Sequence, residues 1–191
     1  MAKEPQLRNW KRFCDERRTN PEFCDEDVTR RLNRFRARYR AALNFKSVVI
    51  DKASDNLTRG YSAGIRLLLS YSAAEVLGAA IESSLTNWTF FDSRLVREVR
   101  DVCAKYTHDR TAITSPELIR RLSSFVNGEH DNLRVAATGL RVLVAHGHFA
   151  PVNAVYSRRN ANAVVDLSTL LLNQSESRFG EWFEQRLASR A

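Results

Sequence analysis

"YSAGIRLLLSYSAAEVLGAAIES", Tyr61 to Ser83, decides the fold. The stretch is apolar on almost every side. It is also dense in small residues: Ser62, Ala63, Gly64, Ser70, Ser72, Ala73, Ala74, Gly78, Ala79 and Ala80. A helix that is apolar all round has to be enclosed by other elements, and small side chains let neighbouring backbones come close. The stretch therefore predicts the central helix of a bundle, paired antiparallel with the helix before it.

Working upstream, Leu32, Phe35, Tyr39, Ala42, Lys46 and Val49 step by three and four, which predicts a long amphipathic helix from Val28 to Lys52. Asp25, Glu26 and Asp27 suit its positive end. "DNLTRG", Asp55 to Gly60, reads as the connector to the central helix. Further back, Gln6 to Arg17 forms a short polar helix with Trp10 and Phe13, and Asn20-Pro21 breaks it. Residues 1–24 are expected as an N-terminal arm or short helix, and residues 25–191 as one bundle.

Downstream, Asp92 caps a helix running to Tyr106. Ser115-Pro116-Glu117 starts another, with a serine cap and a proline in the first turn. Asn127-Gly128 ends it. A helix over Glu129 to Ala145 buries Leu133, Ala136, Ala137, Leu140 and Val144. A last one runs from Ala161 to Leu187, with Phe179, Trp182 and Phe183 at its end. With seven glycines, four prolines and little period-2 alternation, the chain reads as all-α. The expected fold is a single bundle of about five to seven helices, two of them long and antiparallel.

The totals narrow the function classes. The chain has 191 residues, enough to bury a core without metal or disulfide. Cys14, Cys24 and Cys103 form no C-x-x-C pair, which leaves neither a disulfide framework nor a thiolate zinc site. No apolar run approaches the roughly 20 residues that span a bilayer. The start, MAKEPQLRNWKRF, lacks the apolar stretch of a signal peptide, so a cytoplasmic location is expected. The formal net charge of +8 favours polyanionic partners, either nucleic acid or an acidic protein. A membrane-surface role competes with the bundle for the same apolar stripe and is set aside.

"LRVLVAHGHFAP", Leu140 to Pro151, carries the chemistry. Arg141 and His146 sit in the last turns of an otherwise apolar helix. Five residues put them about 140° apart on an ideal helix, so they converge only if the helix ends or distorts at His146. Gly147 supplies that end. Together they offer a permanent cation and a group that moves protons near neutral pH. RNA can be cut with those tools and no metal: a base takes the 2′-hydroxyl proton and a cation steadies charge on the phosphate. The competing reading is a plain helix end, where basic residues complement the dipole.

R-V-L-V-A-H, Arg141 to His146, followed by Gly147, resembles the R-x(4–6)-H signature of the HEPN superfamily. "LLSYSAAEVLGAA", Leu68 to Ala80, is similar to the helix on which many of its members carry a glutamate after a small residue; Glu75 is the match. The likeness covers about Val28 to Leu187. It implies a dimerising helical bundle that brings two R-x4-H motifs into one cleft. Catalytic members are metal-independent ribonucleases, often in toxin–antitoxin systems. By position, His146 is then the general acid/base, Arg141 the phosphate clamp, and Glu75 the group that orients or neutralises Arg141. Val142 departs from the pattern, because catalytic members usually carry a polar residue there, often asparagine. Other members only bind nucleotides, RNA or partner proteins, so a non-catalytic regulatory module stands beside the enzyme.

Three further features complete the candidates. His146 and His148 are two apart, but His108 and His130 have no spacing that recruits them, so no metal and no cofactor is expected; His148 is a supporting residue beside the phosphate path or a solvated loop residue. "RRLNRFRARYR" sets Arg31, Arg34 and Arg38 around Phe35 and Tyr39, either as an RNA- or partner-binding face or as the solvated face of a helix. "YSRRNANA", Tyr156 to Ala163, reads as a loop from which Arg158 and Arg159 can reach a bound phosphate, or as a loop with no function.

Overall fold

The computed structural model describes residues 7–106, 113–147 and 157–189. Among them are seven α-helices and no strand: α1 (Trp10–Thr19), α2 (Glu26–Asn44), α3 (Asp55–Ala80), α4 (Ser93–Tyr106), α5 (Pro116–Val126), α6 (Leu133–Ala145) and α7 (Arg158–Ala188). The expected all-α bundle is what the chain forms.

Helix α3 is the centre. Its Gly60, Ala63, Leu67, Ser70, Ala73, Ala74 and Leu77 are buried, and it packs on α2, α6 and α7. Two arginines of α2 fix the register of the first pair. Arg31 donates to the carbonyl of Ala79 at 2.9 Å, and Arg38 donates to the hydroxyl of Ser72 at 2.8 Å. Seven residues forward on α2 correspond to seven back on α3, so the two helices run antiparallel.

Several boundaries shift for local reasons. Helix α2 ends at Asn44 instead of Lys52, and Phe45 is already extended. Val48, Val49 and Ile50 are β-branched, which costs a helix χ1 freedom, and Val48 N–H donates to Ser62 Oγ instead. Val49, expected on the apolar stripe, is 97% exposed. The expected connector Asp55–Gly60 is the first part of α3: Ser54 caps it by accepting from Leu57 N–H, and Asp55 stands at its positive end. Helix α7 likewise begins at Arg158, three residues early, with Ser157 as its cap, so Arg158 to Ala163 of "YSRRNANA" are helical.

The segment read as an arm joins the core over residues 10–24. Trp10, Phe13 and Phe23 are buried against Phe179 and Phe183 near the end of α7. Such edge-to-face and tilted aromatic contacts add to the burial of large rings. Helix α5 lies tightly on α6, because a side chain at Gly139 would meet the Leu122 side chain at 2.7 Å. None of the described helices is long and apolar enough to cross a membrane.

Candidate functional site

Helix α6 positions the motif. Asn132 caps its start by accepting from Arg134 N–H. Its end comes at His146, whose N–H still reaches the carbonyl of Val142 at 3.1 Å. Gly147 then adopts φ +74°, the left-handed conformation that ends helices and that glycine takes without a Cβ clash.

Arg141 turns toward α3. One of its terminal nitrogens lies 3.4 Å from Glu75 Oε1, and its guanidinium sits 5.1 Å above the ring of Tyr71. The expected pairing of Arg141 with Glu75 is therefore present in the geometry. Both side chains keep a large share of their surface in water, 38% for Arg141 and 45% for Glu75. Exposed pairs of this kind contribute about 0–1 kcal/mol, so a competing anion can displace the carboxylate at little cost.

Tyr71 and Thr138 complete the support, and neither was singled out from the sequence. Their hydroxyls lie 3.0 Å apart, and Thr138 donates back to the carbonyl of Arg134. Burial pushes the Tyr71 phenol above its ordinary pKa, with the hydrogen bond to Thr138 acting the other way. The signal was available as spacing. Tyr71 precedes Glu75 by four residues on α3, and Thr138 precedes Arg141 by three on α6, so each lies beside a motif residue on its own helix.

His146 is exposed at the cap, and its side chain makes no hydrogen bond or ion pair with the described residues. It makes no hydrogen bond with Arg141. Within one copy the cation is committed to α3 while the imidazole stands in solvent. Val142 is half-buried and packs against the core, so it offers the site nothing polar. His148 lies outside the described residues.

Arg134, missed by the sequence reading, lies on the same face of α6 as Arg141. It is 4% exposed, and its Nε and one terminal nitrogen are buried without a hydrogen-bond partner. Burial and the neighbouring charge of Arg121 both pull its pKa below the usual arginine value.

The basic face of α2 is largely occupied. Arg31 holds α3 through the Ala79 carbonyl and Arg38 through the Ser72 hydroxyl, Arg31 also pairs with Asp27, and Arg36 stacks over Trp10 at 5.1 Å. Arg34 is exposed and has no partner among the described residues. At the start of α7, Arg158 is exposed and Arg159 lies 3.5 Å from Asp101 on α4. That pair offsets the unfavourable placement of cations at a helix N-terminus. No group of three or more His, Cys, Asp or Glu among the described residues is arranged to hold a metal ion. Comparison with protein-family models, with curated proteins and with solved structures returned no match.

Proposed function

We propose that the chain is a HEPN-like, RNA-directed protein whose Arg141, Glu75 and His146 form half of a metal-independent ribonuclease cleft, with a second copy supplying the other half. One observation carries this reading. Arg141 is held at the surface by a weak, half-exposed contact to Glu75, close in sequence to an unencumbered histidine at the end of the same helix.

The chemistry follows from those groups. A phosphodiester displaces Glu75 and takes the Arg141 guanidinium, which binds phosphate oxygens in a bidentate fork. One His146 accepts the proton of the 2′-hydroxyl, and that oxygen attacks the adjacent phosphorus. The second copy's imidazole protonates the departing 5′-oxygen. The products are a 2′,3′-cyclic phosphate and a free 5′-hydroxyl, so protons and atoms balance with no metal. A second copy answers the separation of Arg141 and His146 on one helix, because each group can face its counterpart across a shared cleft.

The test is incubation of the purified chain with unstructured RNA in EDTA, followed by analysis of the ends. Fragments with 2′,3′-cyclic or 3′-phosphate ends are expected, together with a dimeric mass by light scattering. Intact RNA, or cutting that requires added metal, defeats the reading.

The alternative is a non-catalytic module that binds an acidic partner or RNA through α2. Arg34 is its best contact, since Arg31 and Arg38 are engaged with α3. Arg34→Glu should then release the partner while leaving the fold intact.

A further inference from the structure

A pocket lies on the opposite side of α3 from Glu75, between the α2–α3 connector, α3 and α7. Arg59 and Arg66 are two turns apart on one face of α3, whereas Glu75 follows Arg66 by nine residues, half a turn out of phase. The pocket encloses about 380 Å³, a size typical of small-molecule sites. Lys46, Arg59 and Arg66 line it, together with Ser47 of the connector and the apolar Val165 of α7.

The charge balance of this pocket is uneven. Asp55 is the single acid among its lining residues, and that carboxylate already complements the positive end of α3. None of the three cations is ion-paired among the described residues. By contrast, Arg120 and Arg121 on α5 both find the carboxylate of Glu117. Arg66 is the most constrained of the three. It is half-buried, a terminal nitrogen reaches Thr169 Oγ1 at 3.4 Å, and its Nε is buried without any acceptor. A buried guanidinium N–H with no acceptor is a donor waiting for an oxygen, and anionic oxygens are the strongest acceptors.

We infer that this pocket binds a small phosphate ester, the phosphate held by Arg59, Arg66 and Lys46 and the remainder of the molecule lying against Val165. Inorganic phosphate alone would leave most of the volume empty. The site is independent of the proposed ribonuclease cleft, being on the other face of α3.

Calorimetric titration of the full chain with AMP, ribose 5-phosphate, inorganic phosphate and adenosine tests it. Saturable binding of AMP or ribose 5-phosphate is expected, with inorganic phosphate weaker and adenosine silent. Arg66→Gln and, separately, Lys46→Gln should each weaken AMP or ribose 5-phosphate binding at least tenfold. Lys46 is exposed on the connector, so its variant keeps the fold even if the Arg66 variant does not. RNA cutting should be unchanged in Lys46→Gln. The inference is overturned if none of the phosphate compounds binds at millimolar concentration, or if adenosine binds as well as AMP. It is equally overturned if Lys46→Gln binds like the parent chain, or if a short RNA oligonucleotide binds through Lys46 while the small esters do not.

Discussion

Arg134 and Arg141 are seven residues apart on one face of α6, and Tyr71 of α3 is close enough to feel both charges. Their surroundings differ sharply. Arg134, near the start of the helix, is enclosed and has no carboxylate partner among the described residues, while the charge of Arg121 acts on it. Arg141, near the end, is half in water, paired with Glu75 and stacked on Tyr71. A buried unpaired cation costs stability and cannot exchange partners, while a surface cation in a weak pair can trade its carboxylate for a phosphate. Position along the helix, not residue type, separates a strained interior charge from an available one.

The largest stability effect should come from the buried end. Arg134→Met keeps the aliphatic bulk and removes the charge, so it should stabilise the fold by about 2 kcal/mol. That corresponds to a rise in Tm of about 4–8 °C, measured by thermal denaturation. A fall in Tm would mean that the guanidinium is well solvated and that the contrast with Arg141 is false.

Next comes Tyr71→Phe, which removes the hydroxyl pair with Thr138 and should cost about 1 kcal/mol at neutral pH. The same change sharpens the pH behaviour. Burial raises the folded phenol above its ordinary value of 10.0. Its contribution is therefore complete below pH 10.0 and is lost as pH climbs through the higher folded value. The Phe variant should show a flatter alkaline limb in denaturant titrations, and an unchanged limb would show that this phenol does not govern it. Glu75→Gln should be the smallest, shifting stability by no more than about 1 kcal/mol because the pair is half-exposed. A larger loss would make the pair structural and weaken the case for phosphate exchange.

The contrast also shows where the sequence was informative. Asp25 and Ser115 mark helix starts that the structure keeps, because each capping side chain accepts from an amide three residues on, and Asn127-Gly128 marks an end it keeps through the positive φ of Gly128. The enclosed character of α3 was legible from its small residues. Its true start was not: Gly60 reads as a breaker, yet it is a buried position inside the helix, and the cap at Ser54 was passed over. The Glu75–Arg141 pair was visible only through the resemblance, since 66 residues separate its partners. Arg134 was invisible for a physical reason. The expected stripe on α6 left an outer side for an arginine. In the fold, Leu133, Val135, Ala136, Ala137 and Gly139 are also buried, so the first half of the helix has no solvent side. Which helices surround α6 is a tertiary fact that periodicity does not carry.

The most direct test compares initial rates of RNA cutting in EDTA for the parent chain, Arg141→Ala, His146→Ala and Arg134→Met. Loss of a phosphate clamp or a proton-transfer group should slow cutting at least about a hundredfold, while Arg134→Met should cut at the parent rate. Full cutting by either motif variant, or a loss in Arg134→Met as deep as theirs in protein that remains folded, would contradict the assignment of the surface end of α6 as the working one.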